Sequence, residues 1–468
     1  MRLRLALAAP VALAALVGCR GDTHYIGTDC LPSGTGASLV AAISAQKTVL
    51  LCPRAEITLD EPVALTQGLT LVTAGMPTDP AQMATIRLGP NYPMQAGPGV
   101  RGSGSDIHIA AVRFDGNRRV IGSRDQQALV ELGPGHGYTV EGSSFTDAPG
   151  WTHLHLIEPC DMSTVTGNVV ESAARPHLDS GHWSDGLSIA CSNSLIADNH
   201  INDVSSNGIV FFGGPGTIIR DNEIIDSTTS GWAGINVGDA VVPDNTGVII
   251  ENNHIVAKGP RYFQQGIDAG LHVIGKTANV AGVTVRGNTI EGISRYGLVV
   301  DGCLDCIVQG NDVSNWHPLP AIPNCPAPSA YLAAVTAGHA SGDLDPGYVD
   351  AKADGCPGEA EVLGPTYRNY AGNDPYPDYL AFEVQVYSQR LEQQLDAEAL
   401  LRAEWDALQT RAKAMCPVTA TTSDVQTVWR RIAAAQYGDR LAPVDADAKV
   451  RADLTAAPMG TPCSPPAP

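Results

Sequence analysis

The chain has 468 residues, with 29 Lys and Arg against 49 Asp and Glu, a net charge of −20, and 5 % aromatic residues. Such acidity excludes nucleic acid and an anionic membrane surface as partners, since both require a basic face. An acidic polysaccharide would have to be met through a bound cation or a local basic patch.

Residues 1–19 read as a leader rather than as part of the fold. Arg2 and Arg4 form a basic n-region, Leu5 to Leu16 are apolar but too short to span a bilayer, and Leu16-Val17-Gly18-Cys19 resembles a bacterial lipobox. The resemblance implies cleavage before Cys19, lipid on its sulfur, and a place in the bacterial cell envelope, at the outer membrane or cell surface. The membrane would be reached through that anchor alone.

Residues 20–106 form the expected N-terminal cap and first coils of a stacked structure. Ala37 to Ser44 is an amphipathic helix that would cover the first coil, followed by strands at Thr48 to Leu51, Ile57 to Leu59 and Leu69 to Val72. Pro77 to Gly102 reads as a loop-rich coil.

Residues 107–316 carry the repeat. Asn, any residue, then an aliphatic returns at Asn168-Val169-Val170, Asn199-His200-Ile201, Asn222-Glu223-Ile224, Asn253-His254-Ile255, Asn288-Thr289-Ile290 and Asn311-Asp312-Val313, at spacings of 31, 23, 31, 35 and 23. Val112-Arg113-Phe114 and Ser143-Ser144-Phe145 are degenerate copies. A floor near 23 with additions of several residues is what a coil of fixed circumference yields when some turns carry a loop. Each copy has a second strand beginning at Gly, as in Gly186-Leu187-Ser188-Ile189, Gly208-Ile209-Val210-Phe211, Gly234-Ile235-Asn236-Val237 and Gly297-Leu298-Val299-Val300. Aliphatics alternate at period two, so each strand buries one face, and only stacking in parallel encloses a core. The Asn side chains would stack as well, each bonding the next coil from a bend where Asn itself takes the left-handed conformation.

This pattern, over roughly Ser38 to Trp316, resembles the right-handed parallel β-helix of the pectate-lyase-like superfamily. The resemblance implies an all-β solenoid with an N-terminal cap. That fold carries lyases, hydrolases, epimerases and proteins without catalysis.

After Trp316 the repeat is expected to stop. Residues 317–377 are a Pro- and Ala-rich segment with two Cys, and residues 378–468 a C-terminal α-helical extension, with helices over Asp378 to Ala414 and from Ser423 to about Tyr437. Eleven Cys include Cys19, so an even number remains for disulfides in an oxidising compartment. Cys160 and Cys191 follow Gly-proximal strands of adjacent turns at similar offsets. Cys30 with Cys52, Cys325 with Cys356, and Cys416 with Cys463 follow from proximity, and Cys303 with Cys306 reads as a structural bridge.

Chemistry is expected on the outer face of the Gly-proximal strands. With Leu154, Leu187, Ile189, Ile209, Ile235, Ile267 and Leu298 inward, the outward residues are His153, His155, Ser188, Val210, Asn236, Asp268 and Val299, with Asn207, Arg295 and Tyr296 beside them. Three insertions crowd that edge: Glu171 to Asp185 (with Asp179, His182 and Trp183), Ser227 to Gly247, and Ala257 to Ala281 (with Lys258 and Arg261). A row of His, Asp and Asn at about 5 Å per step matches successive sugar units. For β-elimination on a uronate, Asp179, Asp185 and Asp268 would hold calcium, and His155, His182, Lys258 or Arg261 would remove the proton. His153, Trp183, Ser188, Asn207, Asn236, Asp268, Arg295 and Tyr296 would bind substrate. Ser184-Asp185-Gly186 also resembles part of the polygalacturonase pattern. One coil later that family's Asp pair is replaced by Ser205-Ser206-Asn207-Gly208, so its mechanism is not carried over, and Asp185 equally suits capping of the turn before Gly186.

The expected protein is therefore a monomeric exported lipoprotein that engages polysaccharide. If catalytic, it would be a uronic-acid polysaccharide lyase in preference to a glycoside hydrolase. The alternative is a non-catalytic carbohydrate-binding or structural β-helix of the cell envelope.

Overall fold

The computed structural model describes residues 29–93, 97–121, 128–171, 184–227, 231–238, 245–269, 280–301, 303–318, 329–334 and 341–342. In the C-terminal region it describes 410–417, 420, 425, 428, 431–432, 443–456 and 463. The leader and Cys19 lie outside them, as do Asp179, His182, Trp183, Cys325 and Cys356.

The chain coils through three lines of short parallel strands. One line, from Thr48–Leu51 to Ser341–Gly342, forms an 11-stranded sheet; the other two share a 19-stranded sheet. A typical turn runs Leu195–Ala197, His200–Asn202, Asn207–Phe211, and then Ile218–Arg220 begins the next coil directly against the first strand. Every inter-coil pairing among the described strands is parallel, so the architecture is a parallel β-helix. Its interior is one continuous aliphatic column: Leu154, Leu187, Ile209, Ile235, Ile267 and Leu298 stack in register and are fully buried.

The Asn ladder closes each coil. Asn222 Oδ1 accepts from the backbone N–H and Nδ2 of Asn199 at 3.0 and 2.9 Å, while its own Nδ2 donates to the Ile196 carbonyl and to Asn253 Oδ1. The left-handed residue is not the ladder Asn but the one before it: Gly167, Asp198, Asp221, Asn252, Gly287 and Gly310 all have positive φ. The bend therefore turns one residue earlier than expected, which frees each ladder amide to point along the stack. A second ladder of hydroxyls, Ser163, Ser194 and Thr217, receives backbone N–H groups at another corner.

Helix Gly36–Ala45 covers the first coil with Leu39 and Ile43, and Ser38 Oγ accepts the Thr35 N–H at its start. Disulfides join Cys30 to Cys52, Cys160 to Cys191 and Cys416 to Cys463. Cys306 is also disulfide-bonded.

Several expected boundaries move. Pro77 to Gly102 contains the strand Ala84–Leu88 and the start of Val100–Ser105, because the period-two alternation of Ala84, Ile86 and Leu88 outweighs the Pro and Gly around it. Ser227 to Gly247 holds the strand Gly231–Val237, and much of Ala257 to Ala281 belongs to one continuous strand, His254–Ala269. The stack does not stop at Trp316, since Trp316–Pro318, Ser329–Ala334 and Ser341–Gly342 add further parallel pairs. Residues 411–415 are helical, and a helix over Pro443–Ala456 lies beyond the helices expected from the sequence.

Candidate functional site

Strand register places one outward residue per coil on the third line: Arg101, Glu131, His155, Ser188, Val210, Asn236, Asp268 and Val299. Access to this row is uneven. Arg101 is exposed, the Glu131 and His155 side chains keep 29 % and 14 % exposure, and every member from Ser188 to Val299 is at 0 %. The expected row is therefore closed from Ser188 to Val299, and only the coils that carry Arg101, Glu131 and His155 reach solvent.

At the closed side of this boundary lies a buried polar cluster. Asp185 Oδ1 accepts from the backbone N–H and Nδ2 of Asn207 at 3.0 and 3.1 Å. Ser188 Oγ lies 3.2 Å from Asp185 Oδ2 and 2.8 Å from Thr152 Oγ1, and Thr152 in turn donates to the Leu154 carbonyl. A Ser hydroxyl has one proton to give, so Ser188 donates either to Asp185 Oδ2 or to Thr152 Oγ1. Burial pushes the Asp185 carboxyl above its usual range, against the opposing donors of Ser206, Asn207 and Ser188.

His153 is not in the outward row. Thr152 pairs with Asp185 and Leu154 with Leu187, so His153 faces Gly186, where an added Cβ would lie 2.8 Å from the inward Ile201. Alternation breaks at this corner of the coil. The fully buried ring donates Nδ1–H to the Asp185 carbonyl at 2.9 Å.

The open end has different chemistry. His155 Nδ1 stands 3.9 Å from Glu131 Oε2, an ion-pair distance too long for a direct hydrogen bond. His155, joined by Arg101, holds the Glu131 carboxylate below its usual range against the effect of burial. Two aromatic rings wall the imidazole: Trp151 edge-on at 4.7 Å and Phe212 edge-on at 6.0 Å between centroids. This arrangement supplies an oriented imidazole, a carboxylate and a cation on successive coils about 4.8 Å apart, beside apolar ring surface.

The remaining expected residues do not join it. Lys258 is exposed and Arg261 partly buried on the strand that carries Asp268, four coils and roughly 19 Å from His155. Asp268 accepts from Asn236 Nδ2 at 3.2 Å and stands three coils, roughly 14 Å, beyond Asp185. One calcium ion cannot be shared across that span. The Asp185 oxygens moreover face N–H and O–H donors, where calcium needs free oxygen ligands, so these residues do not fit a calcium site. Among the described residues no group of three or more His, Cys, Asp or Glu side chains is placed to hold a metal ion. Tyr296 is buried opposite Gln265, and the side chain of Arg295 lies outside the described residues.

Arg101 and Glu131 escape a reading from repeats because their coils carry no Asn triplet. The signal was present in Ala128-Leu129-Val130-Glu131-Leu132: aligning Val130 and Leu132 with Leu154 and Leu156 puts Glu131 level with His155.

A family model described as "Right handed beta helix region" matches residues 99–313. No curated protein matches the sequence. Among solved structures, the chain is similar to an alginate lyase from Paenibacillus sp. str. FPU-7, at 15 % identity over 62 % of this chain and 96 % of that one, with a TM-score of 0.44. It is also similar to endopolygalacturonase I from Stereum purpureum (15 %, 69 % and 100 %, TM-score 0.45) and to a tailspike protein mutant of E. coli bacteriophage HK620 (12 %, 69 % and 63 %, TM-score 0.47). At these identities and scores the likenesses carry no argument about substrate or chemistry.

Proposed function

We propose that the chain is an exported, lipid-anchored β-helix protein that engages polysaccharide at the open end of its outward row and cleaves uronic-acid polymers there by β-elimination. The observation that carries this reading is the half-open His155 set between Glu131, Trp151 and Phe212, with Arg101 two coils away, in a row otherwise sealed. Arg101 is the local cation that an acidic polymer needs on an acidic protein, and the rings offer apolar faces to sugar. The Glu131 carboxylate stands on the Nδ1 side of His155 at 3.9 Å, and Nε2 of the neutral imidazole takes the proton at C5 of the uronate. The released electron pair forms the C4=C5 double bond, the C4–O glycosidic bond breaks, and the leaving oxygen recovers the proton from the imidazolium. The leader supports attachment through Cys19.

The second reading, binding without cleavage, is favoured by the burial of Ser188 to Val299, which leaves a short site. The leaderless protein incubated with uronic-acid polymers separates the two. Ultraviolet absorbance of an unsaturated product, lowered about 10²- to 10⁴-fold by His155→Ala, is expected for the lyase. Calorimetric binding without product, weakened by Arg101→Ala, would establish the binding module, and neither signal would overturn both.

A further inference from the structure

The open row ends at a ring. Phe212 follows the strand that carries Val210, two coils above His155, and by alternation it faces outward while Phe211 points into the core. Two coils are about 10 Å apart along the axis, yet the Phe212 and His155 ring centroids are only 6.0 Å apart, so the Phe212 ring leans back over the coil between. On that coil the outward residue after Ser188 is Ala190, a single methyl that leaves space for the ring. Trp151 stands edge-on to Phe212 at 6.3 Å and to His155 at 4.7 Å, so the three rings close on one another and no pyranose passes between them. The backbone fixes this wall. The Phe212 N–H donates to the Ile189 carbonyl at 2.7 Å, and Gly213 and Gly214 follow at φ 107° and 140°. An added Cβ at Gly214 would lie 2.5 Å from the carbonyl oxygen of Cys191, which is bridged to Cys160 on the His155 strand.

Resting on the reading of this row as a uronate lyase site, we infer that it takes the reducing end of the polymer, with Phe212 and Trp151 as the residues that set this specificity. Arg101, Glu131 and His155 span two coil steps, about 10 Å, which is room for about two sugar units with the rings at one end. A unit seated against the rings is therefore terminal. β-Elimination fixes which terminus: the unit that gives up its C5 proton must carry a glycosidic bond at its own C4, and in a chain linked from C1 to C4 that bond leads toward the non-reducing end. A non-reducing terminal unit at His155 has a free C4 hydroxyl and no sugar to expel. The reducing-terminal unit lies at His155 instead, and the rest of the chain runs from its C4 past Glu131 toward Arg101, whose guanidinium meets the carboxylate of a following uronate. His155 Nε2 takes the C5 proton, the electron pair forms C4=C5, and C4–O breaks. The departing oxygen takes the proton back and leaves the shortened chain with a new reducing end. Each event releases one unsaturated monosaccharide.

The test incubates the full mature chain with uronic-acid polymers of graded length, each in native form and with its reducing end reduced to the alditol by borohydride. Product is read by ultraviolet absorbance and size-exclusion chromatography, and binding by calorimetry. Unsaturated monosaccharide is expected from the start, at a rate that rises with the number of chain ends at equal polymer mass. Reduction of the ends is expected to lower rate and affinity about tenfold or more. Phe212→Ala opens room beyond His155 and should add longer unsaturated products, while Phe212→Trp keeps the monosaccharide; the wild-type measurements do not depend on either variant folding. Products of mixed length from the start, or equal rates on native and reduced polymers, would overturn end selectivity and leave the lyase reading standing. Binding without product, if weakened by reduction of the ends, would retain end recognition and overturn cleavage; if equally tight, it would overturn both, as would the absence of product and binding alike.

Discussion

His153 shows how far burial can override residue type. Its ring is wholly enclosed, its Nδ1–H is committed to the Asp185 carbonyl, and Nε2 has no hydrogen-bond partner among the described residues. Desolvation lowers its pKa from 6.5 to about 4, opposed by the bond to Asp185 and assisted by Arg118. The folded pKa is depressed, so the neutral ring's contribution is complete above 6.5 and is lost as pH falls from 6.5 through 4. The loss is on the order of 3 kcal/mol. Denaturant titrations across that window should show wild-type stability falling more steeply than that of His153→Gln, which cannot take up the proton; superimposable profiles would refute the assignment. His155, two residues on, stays half open. The sequence marks both as His on one strand, but the broken alternation at the coil corner separates a core residue from one that reaches solvent.

Among the elements, the Asn ladder was the most legible, because each coil must solve the same bonding problem with the same residue. The left-handed corner, expected at the ladder Asn itself, falls one residue earlier, at Gly167, Asp198, Asp221, Asn252, Gly287 and Gly310, because periodicity alone does not say which of two adjacent residues turns the chain. Asn222→Ala would leave the buried Asn199 N–H without its partner and remove the side-chain bond to the Ile196 carbonyl. At about 1–3 kcal/mol for a buried group left unsatisfied, a loss of that size is expected in equilibrium unfolding. Replacement of the exposed Glu223 next to it should stay within about 0.5 kcal/mol. The glycine column is legible for a related reason: at Gly208 an added Cβ would lie 2.6 Å from the Gly234 carbonyl oxygen, so coils can approach only where no side chain intervenes.

For the molecule as a whole, stability is nearly one-dimensional, each coil touching its neighbours, so damage at one end should stay local. Cys30 closes against Cys52 where Leu31 pairs with Leu51 at the first coil. The double variant Cys30→Ala/Cys52→Ala is expected to raise amide exchange in Gly36–Ala45 and Thr48–Leu51 while leaving Leu195–Ala197 and Ile218–Arg220 protected. Loss of protection along the entire stack would instead show a single cooperative unit.

The amino-acid sequence by itself determined two of the three strand lines, the inward aliphatic column, the Asn stack and the pairing of Cys160 with Cys191, because period and spacing are local properties that a repeating coil copies along its axis. Only the tertiary structure decided which part of the outward face meets solvent. Alternation tells that Ser188, Asn236 and Asp268 leave the core, but their exposure depends on what packs over them, and that is set by residues distant in the chain. The same physics selected the open Arg101, Glu131 and His155, whose meeting rests on register between coils that share no motif.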